Sequence, residues 1–222
     1  MAKANTKSRS HRMRTNYRNC RKVGRGPASS SYQRRLSMAF HKKPNYVPSG
    51  IPFVTVRNLT AGLGISFEKL NYVTPDDHAE FLRRANPEQG DILVSKDGTL
   101  GVIRVINTDV EFSIFVSVAL VKPVIRDMGS YFGTALSSPQ VQMQMVPKGS
   151  GLQHIHLEDL REDCIPLPPL AEQKRIVAEV ERRLSVVEEL ESAITAQRQR
   201  AATLRQSILH RAFEGKLTSV RQ

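Results

Sequence analysis

The stretch "LPPLAEQKRIVAEVERRL", residues 167–184, joins a proline-rich segment to the start of a long predicted helix. Pro168 and Pro169 cannot donate to a β-ladder, and proline disfavours the helical conformation of the residue before it. From Leu170 to about residue 211 the sequence is dense in helix-forming residues and contains neither proline nor glycine. The stretch therefore predicts the end of a folded domain and the start of a helix roughly 60 Å long, at about 1.5 Å per residue.

The predicted helix carries an apolar stripe with heptad spacing. Glu191, Arg198 and Arg205 fall in the same stripe, so it is polar in places. A helix of this length exceeds the width expected of the preceding domain, which favours contact with another helix over burial in a core. The apolar residues of this predicted seam occupy a and d positions of one heptad frame: Val177, Val180, Leu184, Val187, Ile194, Ala201 and Ile208.

The positive charge is concentrated at the N-terminus. Residues 1–50 contain 13 Lys plus Arg and no Asp or Glu, out of chain totals of 33 and 21. The rest of the chain therefore has 33 − 13 = 20 basic and 21 acidic residues, a net charge of −1. We predict a basic, disordered leader over residues 1–47, which is either a nucleic-acid-binding arm or a segment without a binding role.

Cysteine content and hydropathy predict a cytoplasmic protein that does not cross a membrane. Cys20 and Cys164 lie far apart in the sequence and form neither a disulfide framework nor a metal quartet. The longest nearly apolar stretch, residues 113–121, is about half of what a membrane-spanning helix needs. No apolar segment of the secretory type follows the N-terminal charges.

Residues 48–166 predict one compact mixed α/β domain, so the fold class is α+β with a long coiled-coil-forming helix at its end. "GIPFVTVRNLT", from residue 50, alternates in the manner of a strand, and residues 111–124 predict another strand. Two β-branched runs around Lys96-Asp97-Gly98 predict a hairpin. Helical spacing follows over residues 128–146, and residues 215–222 form a tail after the long helix.

Common catalytic motifs are absent from the sequence. It contains no GxxxxGK[ST] loop, no GxGxxG after a strand and no HExxH helix. A metal-dependent hydrolase built on His154, His156, Glu158 or Asp159 is one alternative, but further ligands at recognisable spacing are missing. We expect no metal site and no catalytic residue.

The polar residues that remain suggest recognition. Arg, Lys, Asn and Gln side chains pair with base edges, and Ser side chains and glycine-rich turns suit phosphates. Each such residue taken alone is more often an ordinary surface residue. The candidate DNA-binding residues lie in three predicted loops: Arg57, Asn58, Lys96, Asp97, Lys148, Ser150, Gln153 and His154.

Four segments resemble the specificity subunit of type I restriction-modification systems. They are "IPFVTVRNLT", "GDILVSKDGTLG", "GSGLQHIHLEDLREDCIPLPPLAEQKRIVAEVE" and "LRQSILHRAFEGKLT", in the family's order over about residues 48–218. The resemblance implies that residues 48–166 are a target recognition domain for double-stranded DNA. Residues 167–214 would be a spacer helix that docks methyltransferase subunits.

The resemblance also implies a non-catalytic chain without a cofactor of its own. S-adenosylmethionine, ATP and Mg²⁺ would belong to the methyltransferase and restriction subunits. The usual subunit has two recognition domains and two helical regions, whereas this sequence has one of each, so the helix would pair with a second copy or with a different half-length chain. A scaffold protein whose domain binds protein instead of DNA is the alternative outside this family.

Overall fold

The computed structural model describes residues 20–22, 35–38, 44–151 and 153–217. The chain divides into two compact units, residues 1–173 and 174–222. The first unit mixes strands and short helices, and the second continues a 44-residue helix. The predicted fold class, a mixed α/β domain followed by a long helix, is confirmed.

Most elements of the first unit are short. Its strands are β1 (Cys20–Lys22), β2 (Arg35–Met38), β3 (Tyr46–Val47), β4 (Ile51–Val54), β5 (Asn71–Val73), β6 (Ile92–Ser95), β7 (Ile103–Val105), β8 (Ser113–Ile114), β9 (Val118–Lys122) and β10 (Cys164–Pro166). Its helices are α1 (Val56–Thr60), α2 (Pro75–Leu82), a 3-10 turn (Arg126–Met128), α3 (Gly129–Ser137), α4 (Pro139–Gln142) and α5 (Leu157–Glu162). The long helix is α6 (Leu170–Phe213).

The described strands form two four-stranded sheets and one two-stranded sheet. One sheet has the order β2-β9-β6-β7, and all of its neighbours are antiparallel. The other has the order β3-β5-β4-β8, in which β4 and β8 run parallel. The small sheet pairs β1 with β10, with Lys22 opposite Cys164.

The two larger sheets share one core. Val54 and Ile114 from one sheet pack with Leu93 and Leu120 from the other, and all four are at most 1% exposed. Successive residues of a strand point to opposite faces, so the neighbouring Phe53 belongs to a second cluster on the other face, with Val73 and with Phe81 of α2. The sheets are thereby fixed to one another, and the loops at their edges are held by a packed core.

Three strands lie in the segment predicted to be a disordered leader. β1, β2 and β3 pair with β10, β9 and β5, and Leu36 of β2 is 9% exposed. The sequence of residues 1–47 alone buries little apolar area, but backbone pairing with strands far along the chain provides the missing partners. The parts of the predicted leader before residue 20, at 23–34 and at 39–43 lie outside the described residues.

The single strand predicted over residues 111–124 is two strands in different sheets. β8 pairs with β4, and β9 pairs with β6. The chain turns between them where the amide of Val118 donates to the carbonyl of Phe115 at 2.9 Å. Both strands are buried, so apolar β-branched residues continue through the turn between them. The sequence pattern therefore does not show where β8 ends and β9 begins.

The other elements follow the sequence more closely. The predicted hairpin is β6 and β7, with Ile92 opposite Val105. The predicted helical stretch is divided into α3 and α4, and Pro139 begins α4. Proline is well tolerated in the first turn of a helix, where its missing N–H has no partner to lose.

Candidate nucleic-acid interface

The loop after β6, residues 96–101, is fixed at both ends by backbone hydrogen bonds. The Ser95 amide donates to the Val102 carbonyl at 3.0 Å, and the Ser95 carbonyl accepts from the Gly101 amide at 2.9 Å. The Ser95 hydroxyl accepts from Val102 N at 2.8 Å. Gly98 and Gly101 have φ of +74° and +72°, a conformation that favours glycine.

The far end of this loop is held by Gln142 at the end of α4. Its Nε2 donates to the carbonyls of Gly101 at 3.1 Å and Leu136 at 2.7 Å. A Cβ on Gly101 would lie 2.5 Å from Gln142 Oε1. Both the positive φ and the close approach of Gln142 therefore favour glycine at position 101, and hydrogen bonds hold the loop at both ends.

A second loop, of which the structure describes residues 148–151 and 153–154, contacts both itself and the first loop. Lys148 and His154 exchange two backbone hydrogen bonds of 2.9 Å each, and the Ile155 amide donates to the Lys96 carbonyl at 2.8 Å. His154 makes isolated β-bridges with both Lys148 and Asp97. Four of the residues predicted from sequence, from two separate loops, are thus brought together in the fold.

The tip of the 148–154 loop presents polar groups to solvent. Lys148, Ser150 and Gln153 are exposed and His154 is half-buried. Gly149 has a φ of +121°, which favours glycine at the start of the tip. A hydroxyl, an amide and an ammonium on one preformed loop are the groups that hydrogen-bond to phosphates and base edges.

The two lysines of the site each contact a carboxylate. Lys96 Nζ lies 3.1 Å from Asp97 Oδ2, and the Lys96 side chain is 12% exposed. Lys148 Nζ lies 2.7 Å from Oδ1 of Asp159 on α5, and its side chain is 56% exposed. Exposed pairs of the second kind are worth about 0–1 kcal/mol, so a phosphate can compete with Asp159 for the Lys148 ammonium. Asp159 is a functional neighbour that the sequence-based set of DNA contacts did not include.

Arg57 and Asn58 lie on α1, and the structure gives them different surroundings. Asn58 is 4% exposed. Its Oδ1 accepts from the Thr55 amide and hydroxyl at 3.0 Å each, and its Nδ2 donates to the Ser66 carbonyl at 3.1 Å. The amide group is thus occupied in capping α1 and holding the following turn, and we leave Asn58 out of the proposed DNA surface. Arg57 is exposed in the last turn of α1.

Two carboxylates, those of Asp159 in α5 and of Asp163 just after it, lie near one another. Asp163 is 4% exposed, and each of Asp159 and Asp163 has one buried oxygen without a hydrogen-bond partner. Burial, and then the charge of Asp159, raises the pKa of Asp163 to about 7. Asp163 therefore carries a proton over much of the range below neutral pH.

The histidines of the alternative metal site face one another. The rings of His154 and His156 lie 4.9 Å apart in an edge-to-face arrangement. Over the ranges that the structure describes, no group of three or more His, Cys, Asp or Glu side chains is placed to hold a metal ion. The metal-dependent hydrolase therefore gains no support from the geometry.

Side chains also fix the junction that precedes the long helix. Tyr131 donates its hydroxyl to the Pro166 carbonyl at 2.9 Å. Gln173, 4% exposed, donates from Nε2 to the Pro168 carbonyl at 2.7 Å. Prolines have no backbone N–H to donate, so these side-chain hydrogen bonds to their carbonyls help to hold the junction.

The long helix exposes its apolar stripe. Leu184, Val187, Ile194 and Ile208 of the predicted seam are 45–58% exposed. Ala201 is exposed and Val177 and Val180 are half-buried. Other exposed apolar side chains of α6 are Val186, Leu190, Leu204 and Leu209. Within the described part of the chain, no helix is long and apolar enough to cross a membrane.

Together these features define a class: a mixed α/β domain with preformed polar loops, followed by a long helix with an exposed apolar stripe. The family model described as the type I restriction modification DNA specificity domain matches residues 37–201. The chain belongs to this family. The match begins within β2, at residue 37, and includes the first 32 residues of α6, counted from residue 170 to 201.

Individual relatives agree with the family. The chain is 27% identical over 190 residues to the Type I restriction enzyme EcoBI specificity subunit of Escherichia coli, covering 84% of the chain and 40% of that relative. It is 25% identical over 193 residues to the EcoKI specificity subunit of Escherichia coli strain K12, covering 83% and 41%. The chain thus spans about two fifths of the length of these relatives.

Solved structures show the same fold. A chain from a structure of the type I R-M system, described in terms of complex assembly and conformational transition, matches with a TM-score of 0.57 at 25% identity. This match covers 89% of the chain and 44% of the solved one. The HsdS subunit from Thermoanaerobacter tengcongensis matches with a TM-score of 0.51 at 24% identity, over 90% and 44% of the two chains.

Proposed function

We propose that residues 44–166 read one half of a bipartite DNA target as part of a type I specificity subunit. The observation that carries this proposal is the joining of the 96–101 and 148–154 loops through the Lys96 carbonyl and the Ile155 amide. Loops that are already joined by hydrogen bonds cost less to order on DNA, and this favours specific contacts. Family membership supplies the kind of ligand.

In the proposed surface, some residues contact phosphates and others contact bases. Lys148, which is exposed and only weakly paired with Asp159, exchanges its carboxylate partner for a phosphate. Ser150 and Gln153 at the exposed tip contact base edges, and His154 and Asp97 support the tip from its base. Arg57, exposed on α1, adds a phosphate contact. Lys96 is largely buried and positions the loops through its backbone.

The helix α6 sets the distance to a second recognition domain and docks the methyltransferase subunits. At about 1.5 Å per residue, its 44 residues extend about 66 Å. The exposed seam is too apolar to leave in water over its whole length, and each buried Val, Leu or Ile side chain contributes about 1.5–3 kcal/mol. A second helix, from another copy or from a different half-length chain, covers the stripe in this proposal.

The partner of the helix determines the form of the DNA target. Two identical recognition domains related by a twofold axis read a palindromic bipartite sequence. Two different domains read an asymmetric one. Methylation with S-adenosylmethionine and cleavage with ATP and Mg²⁺ belong to methyltransferase and restriction subunits in this scheme, and this chain binds none of these cofactors.

The test is to express the chain with the methyltransferase subunit of the same system and to map methylated adenines across a genome. We expect one reproducible bipartite motif, and its symmetry reports whether the recognition domains are identical. A matched strain in which Gln153→Ala and Ser150→Ala are combined is expected to lose or change the motif. If an intact complex methylates without any motif, the domain does not read DNA and the scaffold alternative is favoured.

A further inference from the structure

The loop after α1 exposes a leucine between two glycines. In the segment Gly62-Leu63-Gly64, Leu63 is 56% exposed. The structure gives this loop an internal brace, because the Ser66 amide donates to the Asn58 carbonyl at 2.9 Å and Asn58 Nδ2 donates to the Ser66 carbonyl at 3.1 Å. The leucine thus lies at the tip of a closed loop.

Arg104 on β7 fixes the tip itself. Its Nη2 donates to the Gly62 carbonyl at 2.5 Å and its Nε to the Gly64 carbonyl at 3.1 Å, on either side of Leu63. Its Nη1 donates to the Ile103 carbonyl at 2.8 Å. A guanidinium presents its donors in a rigid fork, so the backbone on both sides of Leu63 is held in one geometry.

The fold does not require glycine at either flanking position. Neither Gly62 nor Gly64 is among the residues with positive φ. A Cβ built at either position meets nothing within 4 Å. A side chain there would therefore project into open space beside Leu63. Glycines that serve neither backbone conformation nor packing are typical of places where another molecule approaches the backbone closely.

One cation, Arg104, lies at the tip, and a second belongs to the preceding helix. Arg57 is exposed on the helix that leads into the loop. The three contacts described for the Arg104 guanidinium are to carbonyl oxygens, which carry no net charge. The major groove of DNA fits this combination, because its thymine methyl groups are apolar and the phosphates along its edges attract cations.

We propose that the 61–65 loop is a second DNA-contacting element, in which Leu63 makes an apolar contact with the 5-methyl group of a thymine in the major groove. Arg57 and Arg104 favour the adjacent phosphates. The inference rests on the proposed function and adds a thymine preference at one position of the half-target. The major groove, about 12 Å wide, admits a loop tip flanked by glycines, and the thymine methyl is its apolar feature.

The test measures the affinity of the chain, assembled with its methyltransferase subunit, for a duplex that carries the motif mapped above. Leu63→Ala is expected to weaken motif binding roughly fivefold to tenfold and to leave binding to a motif-free duplex unchanged. Val110→Ala is the matched control, because Val110 is another exposed aliphatic residue, 48% exposed, on a different loop. It is expected to bind as the unaltered chain does.

Uracil substitution identifies the contacted group. Replacing each thymine of the motif in turn by uracil removes one methyl, and one position is expected to weaken binding of the unaltered chain roughly threefold. The same substitution is expected to have no further effect on Leu63→Ala. Gly64→Leu, with an unchanged melting temperature, is expected to weaken motif binding as well, because its side chain occupies the space beside Leu63.

The outcomes separate this inference from the proposed function. If the unaltered complex shows no preference for any motif, the proposed function fails irrespective of Leu63. If it shows a motif but Leu63→Ala binds with unchanged affinity, or no uracil position affects the unaltered chain, the thymine contact is wrong. If Leu63→Ala lowers methyltransferase binding while leaving motif affinity unchanged, the loop contacts protein and the inference is overturned.

Discussion

Gln144 pairs with Cys164 through both ends of its side-chain amide. Its Nε2 donates to the Cys164 carbonyl at 2.9 Å, and its Oε1 accepts from the Cys164 amide at 2.8 Å. Cys164 begins β10, the strand that pairs with β1 and leads into the proline-rich junction. One side chain after α4 thus supplies the donor and the acceptor that a neighbouring strand would otherwise provide.

Gln144→Glu is expected to destabilise the first unit. A carboxylate has no donor for the Cys164 carbonyl, and losing this part-buried hydrogen bond costs roughly 1 kcal/mol in the free energy of unfolding. Urea denaturation of the chain measures the change. Gln140→Glu, at an exposed position on α4, is the control and is expected to shift the midpoint little. Equal midpoints for the two variants would show that the pairing contributes nothing.

Short-range sequence patterns predicted the elements that are stabilised mainly by contacts between residues close in sequence. The helix from Leu170 and the hairpin around Gly98 follow from helix formers, heptad spacing and a turn dipeptide. Long-range pairings left no such signal. β2 contains only two large apolar residues, and its partner β9 lies more than 80 residues further along the chain, as the pairing of Arg35 with Lys122 shows.

For the candidate site, the sequence predicted individual polar residues but not their arrangement in space. The residue types at 148–154 indicated a polar recognition loop, but its contact with the 96–101 loop depends on the tertiary fold. Asn58 has the side chain of a base-reading residue. In the fold it is buried, and it donates to the carbonyl of Ser66, eight positions later. Whether an Asn caps a helix or faces a ligand depends on these later contacts.

Asp163 makes the stability of the first unit depend on pH. Its pKa in the folded chain is about 7, against an ordinary value of 3.8. Between these values the folded chain holds a proton that the unfolded chain has lost, so this group's contribution is fully present below pH 3.8 and is lost as pH rises through 7. The lost stability amounts to at most about 4 kcal/mol, at about 1.4 kcal/mol per pKa unit.

Asp163→Asn tests this dependence, because the amide mimics the neutral acid. The variant is expected to match the unaltered chain near the acidic end of its stable range and to exceed it in unfolding free energy at mildly alkaline pH. Urea titrations at several pH values give the difference between the two curves. Asp109→Asn, on an exposed loop, controls for the loss of one negative charge. A constant difference across the pH range would contradict the assignment.

Lys148 and Gln153 are expected to differ in how they affect DNA binding. Lys148→Ala removes a phosphate contact, so affinity falls for motif and non-motif duplexes alike, and the slope of log affinity against log salt decreases by about one. Gln153→Ala removes a base contact, so only motif binding falls, by about 1–3 kcal/mol. Fluorescence anisotropy at several salt concentrations separates the two effects. Arg83→Ala, which removes an exposed cation after α2, is the control.

The predicted seam of α6 is tested by placing a charge on it. Val187 occupies a d position, and burying an unpaired aspartate there costs several kcal/mol, so Val187→Asp is expected to lose both self-association and methyltransferase binding. Ala196 lies at an f position, on the opposite face in the same heptad frame, and Ala196→Asp is expected to retain both. Sedimentation velocity measures the oligomeric state, and co-purification measures methyltransferase binding. Because both variants add the same charge to the same helix, the reverse result would place the contact surface on the other face of α6.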